Sequence, residues 1–212
     1  MSERVEPFEQ YTARYEIWFD RNEYAYGSEL KAIEELLPES GHGIEIGVGS
    51  GKFAEPLGIQ IGVDPSIEML KIAKERSIDV IRGIGEYLPV ERECFNFALV
   101  VTTICFFDDV ERSLNEIYEI LKDEGHIIIG FVDRESKLGK IYQDKKDENV
   151  FYKEATFYSS EELLNLLKKS GFNQIETVQT LFGEIESMNK IDEVKEGYDE
   201  GSFVVVKAKK IV

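Results

Sequence analysis

The chain has little with which to cross-link itself. Only two cysteines stand in 212 residues, which excludes a disulfide scaffold, and Cys94 and Cys105 lack the paired spacing of a zinc site. They are expected as two buried thiols in a reducing compartment, and no metal is expected. Basic residues are also scarce. The 25 lysines and arginines against 42 acids leave a net charge of −17, which opposes a sequence-independent grip on phosphate backbones, so nucleic acid is not an expected partner. Long apolar runs are missing too: nothing approaches the roughly 18 residues that suggest a membrane span. Met1-Ser2-Glu3-Arg4-Val5-Glu6 has no signal-peptide core, and a cytoplasmic location is the expectation. The length suits a single domain, residues 1–212, that buries a normal core.

What the chain does have is His42-Gly43-Ile44-Glu45-Ile46-Gly47-Val48-Gly49-Ser50-Gly51-Lys52-Phe53-Ala54. Ile44, Ile46 and Val48 read as a short buried strand of a mostly parallel sheet. Gly47, Gly49 and Gly51 then allow positive φ and close approach of backbone to a ligand. Two familiar loops fail here on spacing. A dinucleotide fingerprint needs Gly at position 52, which is Lys, and this disfavours a nicotinamide dehydrogenase. A P-loop needs Gly at 46 and a hydroxyl at 53, which are Ile and Phe.

A second apolar run, Ile59-Gln60-Ile61-Gly62-Val63, ends at Asp64-Pro65-Ser66. Ligands of doubly wound sheets lie at the carboxyl ends of strands, so Asp64 faces the same cleft as the glycines and can accept both hydroxyls of a ribose. The other reading is that Asp64 or Ser66 caps a helix over Ile67–Glu75, and the two are compatible.

Glu45-x-Gly47-x-Gly49-x-Gly51 resembles motif I of the class I S-adenosylmethionine-dependent methyltransferases. Gly83, Leu88 and Pro89, ahead of an apolar strand from Cys94 to Thr103, are similar to the ubiquinone and menaquinone biosynthesis type. Where that type has Asp facing the adenine amine, this chain has Ile84, and its Phe-Asp is Phe95-Asn96. Tyr15-Glu16-Ile17-Trp18-Phe19-Asp20 resembles the Tyr-Asp-x-Trp-Phe that precedes motif I, and Leu121-Lys122-Asp123-Glu124-Gly125 resembles the Leu-Lys-Pro-Gly-Gly turn without its Pro.

The resemblance implies an α/β, Rossmann-like class I methyltransferase fold: a seven-stranded, mostly parallel sheet, helices on both faces and an N-terminal helical lid. It implies S-adenosyl-L-methionine as cofactor and a small-molecule acceptor. The implied contacts are the loop Gly47, Gly49 and Gly51 against the methionine portion, with Glu45 holding the loop or the amine. Asp64-Pro65 would meet the ribose. Ile84, Gly85 or the Glu86 carboxylate would meet the adenine, and the Thr102 carbonyl the amine. Tyr15 is implied as part of the lid; for Tyr15 and Trp18 an aromatic stripe that simply packs is the equal alternative. Glu45 could equally cap its own loop amides.

The remaining order is read from periodicity. Residues 1–40 are helical and 41–131 form the cofactor half. Pro56 and Gly58 close the helix after motif I within two turns, and a helix over Val110–Lys122 leads to a fifth strand from His126 to Phe131. Residues 132–158 are a charged, aperiodic excursion apart from Ile141, Tyr142, Val150, Phe151 and Tyr152; the resemblance implies that it builds the substrate side, and a solvated surface loop is the other reading. Ser159 and Glu162 form a capping box for a helix ended by Gly171, and Ile175–Phe182 and Ser202–Lys207 are the last strands, joined by Glu184–Gly201. No catalytic base stands out: Tyr11, Tyr15, Tyr142 and Asp108 are unranked, and His42 and His126 fall at the wrong strand ends. Two other readings share the loop, a non-catalytic subunit supporting a partner and an S-adenosylmethionine enzyme that transfers something other than methyl.

Overall fold

A computed structural model describes residues 3–211. The N-terminal segment folds as three helices, α1 (Glu6–Gln10), α2 (Thr12–Arg21) and α3 (Glu23–Leu36), before β1 (Gly43–Ile46) opens the sheet. There follow β2 (Ile61–Asp64), α4 (Ile67–Glu75), β3 (Asp79–Arg82), β4 (Phe95–Val101), α5 (Val110–Ile120) and β5 (Leu121–Val132). The rest is α6 (Lys137–Asp144), α7 (Ser160–Lys169), β6 (Phe172–Thr180), β7 (Lys195–Glu196) and β8 (Phe203–Lys210).

The sheet has the order β3-β2-β1-β4-β5-β8-β6-β7, with β3 to β5 parallel and β8 inserted antiparallel beside β5. Eight strands stand where seven are expected. The added one, β7, is two residues pairing with Val178 and Gln179, too short to leave a period in the sequence. The strands before and after it stand near the expected ones, with β6 beginning three residues earlier at Phe172 and β8 running three residues further to Lys210.

Cores form on both faces. Leu114, Ile117 and Ile120 of α5 and Leu163 and Leu167 of α7 pack on one side. Ala32, Ile33 and Leu36 of α3 and Leu70 and Ala73 of α4 pack on the other. Central strands are buried on both faces, which is why β1 and β4 are mostly apolar, broken only by the buried Glu45 and the half-buried Asn96. Gly43 of β1 sits against Phe97 of β4 so closely that a Cβ there would lie 2.1 Å from the ring. Gly43→Ala is therefore expected to destabilise the fold by about 3 kcal/mol, read by urea unfolding, since the overpacked ring is enclosed and cannot swing aside.

Local signals placed several elements to the residue. Ser66 accepts Met69 N to start α4, Asp109 accepts Arg112 N to start α5, and Ser159 and Glu162 form the capping box of α7. Others moved. Residues 52–58 form turns instead of a helix, because Gly58 takes positive φ right after Pro56. The expected turn Leu121–Gly125 lies inside β5: Leu121 pairs with Phe95 and His126 with Phe97, and the residues between bulge out with Glu124 at φ 64°. The excursion after β5 contains α6, capped by Ser136, whose apolar face of Leu138, Ile141 and Tyr142 spans little more than one turn. Cys94 and Cys105 are free and only part-buried, against the expected full burial.

Candidate functional site

Parallel strands end on one edge, and the glycine loop there is held down by β2. Gly47 N and Val48 N both donate to Val63 O, at 2.7 and 3.0 Å. A Cβ on Gly47 would strike the Thr103 side chain at 2.1 Å, and one on Gly51 would strike Ile78 at 2.4 Å, both at positive φ. Those two glycines close the loop against protein. Gly49 is different: its nearest neighbour is Tyr15 Oη, 3.6 Å from where a Cβ would stand. It is the glycine that faces open space.

That space is a cavity of about 280 Å³. Of the sequence-predicted residues, Tyr15, Gly47, Gly49, Asp64, Pro65, Ile84, Gly85, Glu86 and Thr102 line it, whereas Glu45 and Gly51 do not. Asp64 is 9% exposed. Its Oδ2 accepts Gly49 N at 2.9 Å and its Oδ1 accepts Ser66 N at 2.8 Å, so one carboxylate ties the loop to the start of α4. Burial, stronger than these two amides, pushes its pKa up to about 6, which leaves it mostly charged at neutral pH. Its remaining lone pairs are available to a ligand.

A methyltransferase-domain profile matches residues 44–129, from β1 through most of β5. The crystal structure of a Thermotoga maritima protein, described as a SAM-dependent methyltransferase and possible histamine N-methyltransferase, is 51% identical, covers 98% of this chain and 99% of its own, and superposes with a TM-score of 0.96. The chain belongs to the S-adenosylmethionine-dependent methyltransferases. An uncharacterized protein of Methanocaldococcus jannaschii is 48% identical over 96% of this chain and 98% of its own. A chain from the complex between the Haloferax volcanii Trm112 methyltransferase activator and a methyltransferase is 18% identical, with 97% of this chain and 98% of that one covered and a TM-score of 0.74. At that identity it shows the fold alone.

In this methyltransferase the N-terminal helices are tied to the cofactor edge by polar contacts. Glu9 accepts Ile67 N and Glu68 N at the start of α4. Glu16 accepts from Ser50 Oγ and pairs with Arg76 at 2.5 Å and Lys52 at 3.6 Å; the Arg76 and Ser50 bonds hold its pKa down against burial. Arg4 reaches Cys105 O and Phe107 O and pairs with Asp108 at 3.1 Å. Tyr15 and Trp18, hung from α2, thereby become walls of the cavity, and Phe19 both lines it and packs into the core.

Three expected contacts are already engaged by protein. The Glu86 carboxylate accepts Asp108 N at 2.7 Å and Asp109 N at 3.1 Å, so it braces the approach to α5. Thr102 O accepts the Cys105 thiol at 3.4 Å. Thr102 itself has φ 49°, a region that costs a β-branched residue about 1–3 kcal/mol and that concentrates at functional sites. Glu45 is 1% exposed, receives the Ala54 amide and leaves Oε2 without a partner; burial raises its pKa well above the usual carboxylate range.

Sequence reasoning passed over the other half of the cavity. Phe8, Phe106, Phe151 and Tyr152 line it beside Tyr142, and so does Glu29. Of the unranked bases, Tyr15, Tyr142 and Asp108 reach the cavity and Tyr11 does not. Glu29 occupies the buried face of α3 with Ala25, Ala32, Ile33 and Leu36. An acid in that register was the signal available. His42 stacks on Phe95 and His126 sits within β5, both away from the cavity. Among the described residues no group of side chains suits a metal ion, and no helix is long and apolar enough to cross a membrane.

Proposed function

We propose that this methyltransferase methylates a small-molecule acceptor bound beside S-adenosylmethionine in the cavity at the carboxyl edge of the sheet. The observation that carries the reading is the buried Asp64 carboxylate, fixed by Gly49 and Ser66 at the end of β2 with lone pairs to spare. The residues fit the cofactor: a carboxylate for the ribose hydroxyls, an open Gly49 for close approach, and an unpartnered buried Glu45 Oε2 behind the loop.

S-adenosylmethionine supplies an electrophilic methyl group on a sulfonium that leaves as a neutral thioether. The chain's own task is to bind, align and keep water away, which can supply roughly 7–11 kcal/mol. Asp64, with Pro65 beside it, holds the ribose. Gly47, Gly49 and the loop closed by Gly51 lie along the methionine portion, Glu45 stiffens that loop, and the Thr102 carbonyl is the acceptor for the amine. The adenine falls to Ile84 and Gly85 and to Glu86 Oε2, since the amides of Asp108 and Asp109 take only Oε1. Residues 1–40 act as the lid through Tyr15, 41–131 hold the donor, 132–158 shape the acceptor side, and 159–212 complete the sheet.

Relatives bear names with different acceptors. A Schizosaccharomyces pombe tRNA (carboxymethyluridine(34)-5-O)-methyltransferase is 33% identical over 41% of this chain, and a Corynebacterium kroppenstedtii demethylmenaquinone methyltransferase 26% identical over 39%. A net charge of −17 supports a small acceptor over tRNA, because phosphate contacts dominate affinity for nucleic acid. Calorimetric titration is expected to show S-adenosylmethionine and S-adenosylhomocysteine binding at about micromolar Kd, with NADH silent. Absence of binding by both sulfur ligands would sink the proposal.

A further inference from the structure

Resting on the methyltransferase reading above, we propose that Glu29 is the docking point for a basic nitrogen of the acceptor, so that the substrate is an amine seated between a buried carboxylate and aromatic walls. Glu29 lies mid-way along α3, which packs over β5, β6 and β8, away from the β2 end that holds Asp64. It is 4% exposed yet lines the cavity. Among the described residues no group donates to its carboxyl and no cation pairs with it. Neither of its oxygens is sealed from the cavity, since Glu45 Oε2 is the buried atom without a partner. A carboxylate placed this way is costly unless a ligand brings the missing positive charge.

The walls suit the same ligand. Tyr142 and Tyr152 stack with ring centroids 4.9 Å apart, and Tyr152 stacks on Phe106 at 6.2 Å. Phe8 stands 5.1 Å from Phe106 and 5.2 Å from Phe151. All five rings line the cavity, and aromatic faces attract ammonium groups. Two cations line the cavity and neither pairs with Glu29: Arg4 is paired with Asp108, and the exposed Arg14 lies over the Phe151 ring. An anionic acceptor would meet Glu29 with the wrong sign.

Protonation makes the proposal readable. Burial lifts Glu29 to about 8, so at neutral pH its carboxyl holds a proton while an alkylamine arrives as ammonium. The pair they form needs only one of those protons, and one is released to solvent. When the remaining proton sits on the carboxyl, an N–H bond has broken, an O–H bond has formed, and the nitrogen lone pair is free to accept methyl. The titratable groups facing Glu29 are the phenols of Tyr15 from α2, Tyr26 from α3, Tyr142 from α6 and Tyr152 from the loop that follows, all raised by burial and neutral at pH 7. They leave Glu29 as the group that gives up the proton.

The test is calorimetry at pH 7 on the full chain, with and without saturating S-adenosylhomocysteine, using two matched sets of probes: phenethylamine, phenylethanol and phenylacetate, and hexylamine, hexanol and hexanoate. At least one amine is expected to bind tenfold or more tighter than its alcohol and carboxylate counterparts. About one proton should be released, read in buffers of different ionisation enthalpy. Glu29→Gln should erase the preference and the proton release while S-adenosylhomocysteine affinity stays within twofold. No amine preference in either set, or a preference without proton release, overturns the proposal; both readouts exist in the unmutated protein and do not depend on the variant folding. If S-adenosylhomocysteine binds neither protein, the donor assignment fails instead, and the amine preference still decides Glu29.

Discussion

Replacing Asp64 by alanine is expected to weaken S-adenosylmethionine and S-adenosylhomocysteine binding about a hundredfold, a loss of roughly 2.7 kcal/mol. Two effects add. The variant loses charge-assisted bonds to the proposed ribose hydroxyls, each worth roughly 1.5–3 kcal/mol, and it frees Gly49 N and Ser66 N, which the carboxylate holds at 2.9 and 2.8 Å. The loop then pays for its own ordering when ligand binds. The pH dependence has a definite sign. The Asp64 pKa of about 6 in the ligand-free protein falls when hydroxyls donate to the charged form, so affinity is constant above about pH 6 and declines below it, by at most tenfold per unit. Calorimetry from pH 5 to 8 on wild type and variant checks both, and an unchanged Kd in the alanine variant would remove Asp64 from the site.

The second large effect is on stability. Glu29 rises from an ordinary value of 4.5 to about 8, through burial alone. A carboxyl raised in the folded state binds more protons there than in the unfolded chain. Its favourable contribution is complete below about pH 4.5 and is lost as pH rises towards 8, amounting to roughly 5 kcal/mol. Asp64, raised from 3.8 to about 6, acts in the same direction over a lower window. The ligand-free protein should therefore unfold more easily at pH 8.5 than at pH 5. Glu29→Gln should raise the denaturation midpoint at pH 8.5 and leave it nearly unchanged at pH 5, since glutamine matches the neutral acid in shape and carries no charge to desolvate. Equal shifts at both pH values would show that Glu29 is not buried as a lone acid. A core acid whose removal stabilises the fold is kept for function more readily than for packing.

How much of this was legible in the chain differs from element to element. The helix Ile67–Glu75 and the capping box at Ser159 and Glu162 stand where expected because a cap bonds a backbone amide three residues away, and such contacts are written within one turn. The glycine loop was found, but its division of labour was not. Gly47 and Gly51 are glycines because of Thr103 and Ile78, residues 56 and 27 positions away, and Gly49 is the one whose missing Cβ leaves open space. One oxygen of Glu86 is taken by the amides of Asp108 and Asp109, a contact across 22 and 23 residues that no local pattern announces. The short β7 and the helix α6 left no readable period, and Glu124 hides a turn inside β5.

The sequence by itself determined the class of the fold and the starts of α4, α5 and α7, because apolar runs, glycine at positive φ and helix caps are local properties of a backbone; the donor followed from the resemblance of Glu45-x-Gly47-x-Gly49-x-Gly51 to the family's motif I. Tertiary structure decided how the acceptor side is built. Phe8, Tyr142, Phe151 and Tyr152 meet only when the N-terminal helices and the segment after β5 fold over the same edge. Glu29 becomes a buried, unpaired carboxyl only when α3 is laid against β5, β6 and β8. Burial and the want of a partner are properties of the surroundings, and those surroundings come from segments more than a hundred residues apart.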